Sequence, residues 1–190
     1  RSMLQSNARI KFWGTRGSIA TPSRDTVVYG GNTSCVELYM PDREELFILD
    51  AGTGLRELGN RKLNDRRDWN GYIFITHTHW DHIQGLPFFM PAYIPGNNFT
   101  IVSADQPNTQ LEEIISGQMQ STYFPVDFSS LGAKMHFLKV FEGEYTINKI
   151  RVETMLANHP NVTLMFKFHL PSGVVVYATD NELEKRTASG

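Results

Sequence analysis

The sequence predicts a mixed α/β domain, because strand-like and helix-like segments alternate in both halves of the chain. Runs of β-branched and aromatic residues such as Tyr72 to Ile75 are typical of buried strands. The segment from Leu111 to Met119 instead places its apolar residues on one side at helical spacing. No repeat and no linker interrupts the 190 residues, so we expect one domain over residues 1–190.

Glycine and proline turns separate the elements that we expect in the first half of the chain. Gly14 to Ser18 contains two glycines and forms a tight turn, and Thr21 to Gly31 is a turn-rich loop. The predicted strands are Arg9 to Trp13, Cys35 to Met40 and Leu46 to Asp50, followed by a helix at Leu55 to Leu63 and a charged surface loop at Asn64 to Asp68.

The second half is predicted to be richer in strands. Ile83 to Met90 begins a helix that Pro87 and Pro91 limit or bend, because proline lacks the N–H that a helix interior uses. Turns that contain Gly143, Asn148 and Gly173 separate several later runs. The predicted strands are Thr100 to Ser103, Met135 to Val140, Tyr145 to Ile147, Ile150 to Leu156, Thr163 to His169 and Val174 to Ala178.

A buried strand is followed at once by the segment T-H-T-H-W-D-H, which supplies four potential metal ligands: His77, His79, Asp81 and His82. In extended or loop backbone, residues i and i+2 point to the same side. His77 and His79 can therefore bind one ion, while Asp81 and His82 turn toward a second. Imidazole and carboxylate together suit zinc, with manganese or iron as alternatives. A histidine-rich polar turn without metal is the other interpretation.

The H-x-H-x-D-H motif after an apolar strand resembles the signature of the metallo-β-lactamase-fold hydrolases. The resemblance extends from about Ile10 to Asp180. Phe12 to Ser18 (F-W-G-T-R-G-S), Gly30 to Cys35 (G-G-N-T-S-C) and Leu49 to Leu55 (L-D-A-G-T-G-L) resemble the branch that contains tRNase Z and the phosphoribosyl cyclic phosphodiesterases. The resemblance implies a four-layer αββα sandwich of two sheets, and cleavage of phosphodiesters with two bridged metal ions.

The resemblance also implies roles for residues outside the motif. His159, in a loop after a strand, matches the third ligand of the first ion, and Asp180 matches the carboxylate that bridges both ions. Asp81 and Asp180 are the expected catalytic carboxylates. The implied ligands are His77, His79 and His159 for the first ion, Asp81 and His82 for the second, and Asp180 for both.

Two further residues have both a functional and a structural interpretation. Asp50 matches an aspartate that orients the ligands without binding metal, although a carboxylate at this strand end could also cap the next helix. Arg16 could contact a substrate phosphate or lie in a plain solvated turn. His136 and His169 match no motif of the family and are expected to be surface or core histidines.

The sequence departs from the family after Asp180. The family normally carries a final metal-binding histidine beyond this aspartate, and Asn181 to Gly190 contains none. Two explanations are open. Either the second ion is held weakly, or the chain is cut from a longer protein and lacks a final helix and strand as well as the histidine. We expect a cut chain, because a sandwich that ended here would expose sheet edge and core.

Ligand identity narrows the expected chemistry to hydrolysis. An oxygen-reducing di-iron site would carry glutamate at the position of His79, and a zinc β-lactamase typically has cysteine where Asp180 stands. Thioester hydrolysis, as in glyoxalase II, stays open because that enzyme shares the motif. The early segments favour a phosphodiesterase. Together with the charge balance described next, they lead us to expect cleavage of a small cyclic phosphodiester by a metal-activated hydroxide. The alternatives are a tRNase Z-like RNA 3′-processing endonuclease and a non-catalytic module that binds or senses a phosphate ligand.

Composition favours a small substrate over nucleic acid. Lys and Arg number 18 against 20 Asp and Glu, for a net charge of −2, whereas proteins that bind long nucleic acid usually carry a basic excess. No basic Gly/Pro-rich insertion resembles an arm for tRNA. Two apolar segments, Gly85 to Tyr93 and Tyr123 to Val126, are expected to be core, a wall of the substrate pocket or a homodimer contact.

Cysteine usage and hydropathy bear on location. Cys35 is the only cysteine, so no intramolecular disulfide can form, and we expect this thiol to be a small core residue. The chain contains neither a run of eighteen apolar residues nor the apolar region of a signal peptide. We therefore expect a cytoplasmic protein without a membrane partner.

Overall fold

The computed structural model describes residues 7–64 and 68–183, and its strands form two packed sheets. The first sheet has six strands in chain order, and the second has four strands in the order β10-β9-β8-β7. The strands are β1 (Arg9–Gly14), β2 (Cys35–Tyr39), β3 (Leu46–Leu49), β4 (Asn70–Phe74), β5 (Asn98–Ser103), β6 (Lys134–Lys139), β7 (Gly143–Ile147), β8 (Ile150–Leu156), β9 (Leu164–Leu170) and β10 (Gly173–Tyr177).

Strand direction places Asp50 and the start of the H-x-H-x-D-H motif at the same edge of the first sheet. β1 and β2 are antiparallel, as are β2 and β3, whereas β3, β4, β5 and β6 run parallel to one another. Because the carboxyl ends of parallel strands meet at the same edge of a sheet, Asp50 after β3 and Thr76 after β4 become neighbours. The Thr76 N–H donates to Asp50 Oδ1 over 2.8 Å.

Aromatic residues fill the space between the two sheets. Phe74 on β4 packs edge-on against Phe166 and Phe168 of β9, with ring centroids 5.4 and 4.9 Å apart. Phe47 stacks on Phe74 at 6.0 Å, and all four rings are fully buried. Such ring pairs contribute about 0.5–1.5 kcal/mol each beyond the area that they bury. This core fixes β9, and with it the loops on either side, against the strand that leads into the metal motif.

A second core lies between the other face of the six-stranded sheet and the helices. The helices are α1 (Gly54–Leu63), α2 (Trp80–Ile83) and α3 (Leu111–Gly117). Leu55, Leu58 and Ile115 of these helices are fully buried against strands β3 to β5. Cys35 is fully buried in the same cluster, as the sequence predicts, and burial raises the pKa of its thiol well above the usual value.

The described residues therefore form three layers: the helices, the six-stranded sheet and the four-stranded sheet. Among residues 7–64 and 68–183, no helix covers the outer face of the four-stranded sheet, where Val174 and Val176 of β10 are exposed. Three of the four layers of the expected sandwich are thus present in this part of the chain. Within it, no helix is long and apolar enough to cross a membrane.

The helix predicted from Ile83 to Met90 is wrong. α2 begins at Trp80, inside the motif, and ends at Ile83, and two short 3₁₀ turns follow at Leu86–Phe88 and Met90–Tyr93. Pro87 and Pro91 lie at the start of these turns, where the missing N–H costs no hydrogen bond. The charged loop predicted over Asn64 to Asp68 lies largely outside the described residues.

Gly85 lets the end of α2 lie directly against the loop that follows β3. The Gly85 N–H donates to Ala51 O, and the Ala51 N–H donates to His82 O, both over 2.8 Å. A Cβ atom on Gly85 would lie 1.9 Å from the carbonyl oxygen of Gly52, so no other residue fits here without backbone movement. These contacts hold the Asp50 loop and the metal motif in a fixed relation.

Candidate metal centre

Six side chains from three segments of the chain meet where the loops after β4, β8 and β10 converge. The loop after β4 contributes two histidines, and the first turn of α2 contributes an aspartate and a histidine. The other two lie between β8 and β9 and directly after β10. The six side chains form two groups, and within each group the potential ligand atoms lie within 4.8 Å of one another. The first group is His77, His79, His159 and Asp180, and the second is Asp81, His82 and Asp180. The structure thus brings together the six residues that the sequence suggests as ligands, in the two groups that the resemblance implies.

The spacing within the first group fits a tetrahedral ion. His79 Nδ1 lies 2.9 Å from His77 Nε2 and 3.3 Å from His159 Nε2. Asp180 Oδ2 lies 3.6 Å from His77 Nε2. Zinc–nitrogen bonds of 2.0–2.1 Å at the tetrahedral angle separate ligand atoms by about 3.3–3.4 Å. Three imidazole nitrogens and one carboxylate oxygen at these distances therefore surround a space of the size that a divalent ion needs.

The second group shares an oxygen with the first. His82 Nε2 lies 3.4 Å from Asp81 Oδ2 and 3.4 Å from Asp180 Oδ2. The same Asp180 oxygen thus lies beside ligand atoms of both groups, which is the position of a bridging carboxylate. Asp180 has a φ of 55°, in the left-handed region, so the backbone after β10 is turned sharply to place this side chain.

The nitrogens that face away from the centre have their own partners in three of the four histidines. His77 Nδ1 lies 3.1 Å from Thr76 Oγ1, and His82 Nδ1 lies 2.7 Å from Asp50 Oδ2. His79 Nε2 lies 2.8 Å from the side-chain amide of Asn161. With Nδ1 of His79 directed at the metal position, Nε2 carries the proton, and the amide oxygen of Asn161 can accept it after a 180° rotation. Such partners fix the tautomer and the ring orientation of a ligand.

Asp50 gathers hydrogen bonds from several segments. It is fully buried and accepts from Thr76 Oγ1 at 3.0 Å, Tyr177 Oη at 2.9 Å and Ser34 Oγ at 3.2 Å, besides the contacts of Thr76 N and His82 Nδ1. It does not cap α1, whose N-cap is Thr53 without a side-chain hydrogen bond. The helix-capping alternative is therefore wrong, and the carboxylate faces the metal-binding loop.

Charge around the two groups is unbalanced without a cation. Burial would lower the pKa of His82, but the hydrogen bond and charge of Asp50, together with Asp81 and Asp180, raise this pKa to about 9. Burial and the neighbouring His82 lower the pKa of His77 to about 3, so that imidazole is neutral and free to ligate. A divalent cation at this position would take the place of the proton that the raised pKa leaves on His82. The four imidazoles and the carboxylates of Asp81 and Asp180 are a donor set that suits such a cation.

Arg16 lies beside the second group of candidate ligands. It lines a cavity of about 230 Å³ together with His82, Tyr177 and Asp180. The backbone of its turn is fixed, since Arg16 N donates to Asn32 O over 2.9 Å. Two residues later, the Ser18 N–H donates to Asp81 Oδ2 over 2.8 Å, with Ser18 itself at a φ of 67°. The Gly14 to Ser18 turn thus touches a candidate ligand directly.

The two apolar segments, Gly85 to Tyr93 and Tyr123 to Val126, come together beside the motif. Phe88 and Phe124 pack edge-to-face at 5.4 Å and line a cavity of about 500 Å³ with Trp80 and Tyr123. Trp80 and Tyr123 are about three-quarters exposed, at 75% and 76%. Most of the Gly85 to Tyr93 segment is core, as shown by fully buried Phe89, but this corner of it opens onto solvent.

Two histidines lie outside the site, and four residues that contact the ligands or Asp50 are not predicted by the sequence. His136 lies exposed on β6, and His169 pairs with Glu153 at 2.5 Å. Neither belongs to the two groups, as expected. Thr76, Ser34, Tyr177 and Asn161 had no signal of their own, because isolated hydroxyl and amide residues are common in loops. Thr76 lies inside the metal motif and Ser34 inside the G-G-N-T-S-C segment, but neither segment indicates that its hydroxyl contacts Asp50.

Comparisons with known proteins place the chain in a family. The protein-family model described as "Anti-Pycsar protein Apyc1" matches residues 32–189. Ribonuclease Z from Thermoplasma acidophilum is 28% identical over 167 residues, which cover 86% of this chain and 48% of that protein. Ribonuclease Z from Prochlorococcus marinus is 27% identical over 155 residues, or 79% of this chain and 46% of that protein. The chain thus spans about half the length of the curated relatives that it matches.

Solved structures show the same fold. The metallo-β-lactamase fold protein YhfI from Bacillus subtilis has a TM-score of 0.64 at 14% identity, covering 93% of this chain and 64% of that one. The short form of human tRNase Z has a TM-score of 0.60 at 17% identity, covering 89% and 68%. A diphosphatase from the PhnP family has a TM-score of 0.57 at 16% identity, covering 85% and 62%. The chain has the metallo-β-lactamase fold and belongs to the family described as anti-Pycsar protein Apyc1.

Proposed function

We propose that this chain is the metal-binding part of a hydrolase that cleaves a small cyclic phosphodiester, a cyclic nucleotide or a cyclic ribose phosphate. The observation that carries the proposal is Asp180 Oδ2, which lies 3.6 Å from His77 Nε2 and 3.4 Å from His82 Nε2. One carboxylate oxygen beside two groups of nitrogen and oxygen ligands is the arrangement that two-metal phosphodiesterases use.

The proposed ligands follow the two groups. His77, His79 and His159 hold the first ion, Asp81 and His82 hold the second, and Asp180 contacts both. We propose zinc, because three imidazoles and a carboxylate at tetrahedral spacing suit it, with manganese or iron as alternatives. When bound, two such ions lower the pKa of a water between them and stabilise charge on phosphate oxygens.

The chain's own residues orient the reacting groups. Asp50 accepts the Nδ1 proton of His82 and so directs Nε2 toward the metal position. The Ser18 N–H holds the Asp81 carboxylate in place. Arg16, in the cavity beside His82 and Asp180, is suited to hold a phosphate oxygen of the substrate through its guanidinium group. Asp81 and Asp180, the two carboxylates within the ligand groups, are the proposed catalytic carboxylates.

The dimensions of the site support a compact substrate. The cavity beside the two groups has a volume of about 230 Å³, and the aromatic cavity of about 500 Å³ begins at Thr78 and Trp80, between the ligands of the motif. Exposed rings such as Trp80 and Tyr123 can stack on a planar base. The net charge of −2 offers little attraction for a polyphosphate chain.

A tRNase Z-like activity is the second candidate. Its support is the similarity to proteins named Ribonuclease Z, which reaches 28% identity over 86% of this chain. An enzyme that binds precursor tRNA must neutralise several phosphates, so its affinity would depend steeply on salt. Salt dependence therefore separates the two candidates.

The expected homodimer and the expected cytoplasmic location stay predictions.

We predict that a cyclic nucleotide monophosphate is hydrolysed with only a shallow dependence on salt, since a single phosphate charge is neutralised. A tRNA contact with six to ten phosphates would lose about 10³–10⁵ in affinity between 50 and 200 mM salt. The measurement is kcat/KM for the cyclic nucleotide and for precursor tRNA across this range. His79→Ala should abolish turnover, and His136→Ala, which removes an exposed histidine outside the site, should not.

Three other results would change the assignment. Efficient, salt-sensitive cleavage of tRNA 3′ ends, with the small diester untouched, would favour the tRNase Z-like function. Metal and ligand binding without turnover of either substrate would favour a phosphate-sensing module. Turnover of a thioester alone would move the chemistry away from phosphodiesters.

A further inference from the structure

His159 differs from the other three histidines of the site. Its Nε2 lies 3.3 Å from His79 Nδ1 and faces the metal position, so a neutral ring carries its proton on Nδ1. That Nδ1 atom is buried and has no hydrogen-bond partner among the described residues. The corresponding outward nitrogens of His77, His79 and His82 all have one. A ligand whose outer N–H is unsatisfied is free to change tautomer and to rotate.

One carboxylate lies just beyond reach of this nitrogen. Glu182 Oε1 is 3.9 Å from His159 Nδ1, and the Glu182 side chain is 68% exposed. The gap is about 1 Å longer than a charge-assisted hydrogen bond. A rotation of the exposed side chain can close it without any movement of the backbone.

The backbone around Glu182 is already fixed next to the histidine loop. The Glu182 N–H donates to Asn158 O over 2.9 Å, and Asn158 Nδ2 donates to Glu182 O over 3.0 Å. The Asn158 N–H also donates to Asn181 Oδ1 over 2.9 Å. Asn158 directly precedes His159, so these three hydrogen bonds fix the backbone of Glu182 next to the backbone of His159, and only the Glu182 side chain has to move.

We propose that Glu182 is a positioning residue for His159. With an ion in the first group, its carboxylate accepts the Nδ1 proton of His159, fixes the ring with Nε2 toward the ion and raises the basicity of that nitrogen. The same short segment then supplies both Asp180 as a ligand and Glu182 as the support of another ligand. This inference rests on the proposed metal centre, and it concerns affinity for metal, whatever the substrate is.

The test is the affinity for Zn²⁺, measured by competition with a chromophoric chelator at fixed pH. Glu182→Ala is expected to weaken binding about 10–100-fold, the range for losing such a partner of a ligand. Glu182→Gln keeps a carbonyl acceptor and should lose less. Glu112→Ala removes an exposed carboxylate on α3, far from the site in sequence, and should bind as the parent does. Far-ultraviolet circular dichroism checks that each variant is folded.

A double variant separates positioning from a general effect of negative charge. In a His159→Ala background, Glu182→Ala should cause no further loss, because the ring that it holds is absent. Unchanged affinity in Glu182→Ala, or an equal loss in both backgrounds, would overturn the proposal while the metal centre stands. If His159→Ala itself bound Zn²⁺ as tightly as the parent, the ligand set would be wrong and Glu182 would have no role.

Discussion

Asp180→Asn is expected to reduce phosphodiester hydrolysis by about 10³-fold or more and to remove at least one of the two ions. The reason is that one oxygen of this carboxylate lies beside both groups, 3.6 Å from His77 Nε2 and 3.4 Å from His82 Nε2. Asparagine keeps the size and tolerates the φ of 55° at this position, so only the charge is lost. The measurements are kcat/KM for a cyclic nucleotide and metal content by elemental analysis.

Asp25→Asn serves as the matched control. Asp25 is exposed in the loop before Gly30, and its carboxylate makes no hydrogen bond or ion pair with the described residues, so activity and metal content should stay at the parental level. Parental metal content and turnover in Asp180→Asn would show that Asp180 neither bridges nor binds the ions.

Asp50→Asn should leave the chain folded but weaken metal retention by about 10–100-fold. The buried carboxylate accepts from Thr76, Tyr177 and His82, and an amide would direct an N–H₂ group at one set of these donors. His82 would then lose the acceptor that directs its Nε2 toward the ion. Dialysis against graded chelator, followed by elemental analysis, measures the change.

Tyr177→Phe provides the graded comparison for Asp50. It removes one hydroxyl donor to Asp50 Oδ2 and leaves the His82 contact in place, so its effect should be smaller. Urea denaturation of the metal-free variants shows whether either change acts through general stability. If Asp50→Asn kept parental metal affinity, Asp50 would be a structural residue of the turn and would not orient the ligands.

The elements that the sequence predicts best are those with a strong local pattern. The strand from Ile150 to Leu156 has the predicted bounds, and the helix predicted from Leu55 begins one residue earlier at Gly54. The region after the motif was predicted poorly. Asp81 and His82 lie in α2, where loop periodicity does not apply, and the two prolines divide the following apolar segment into 3₁₀ turns.

The sequence predicts the candidate metal ligands, but it does not predict the residues that hydrogen-bond to them and hold them in place. His77, His79, Asp81 and His82 are close in sequence, so one motif specifies them together. The partners of these ligands come from distant positions: Tyr177 reaches Asp50 across 127 residues, and Asn161 reaches His79 across 82. Such contacts depend on how the two sheets pack, and a hydroxyl or amide in a loop gives no sign of them in the sequence.

Metal content of the purified chain tests the central proposal most directly. Expressed with zinc in the medium and purified without chelator, the intact protein should contain transition metal approaching two ions per molecule by elemental analysis. His79→Ala, which removes a ligand of the first group only, should retain fewer ions. The absence of bound transition metal in the folded parental chain would contradict the two-metal site and the phosphodiesterase function proposed from it.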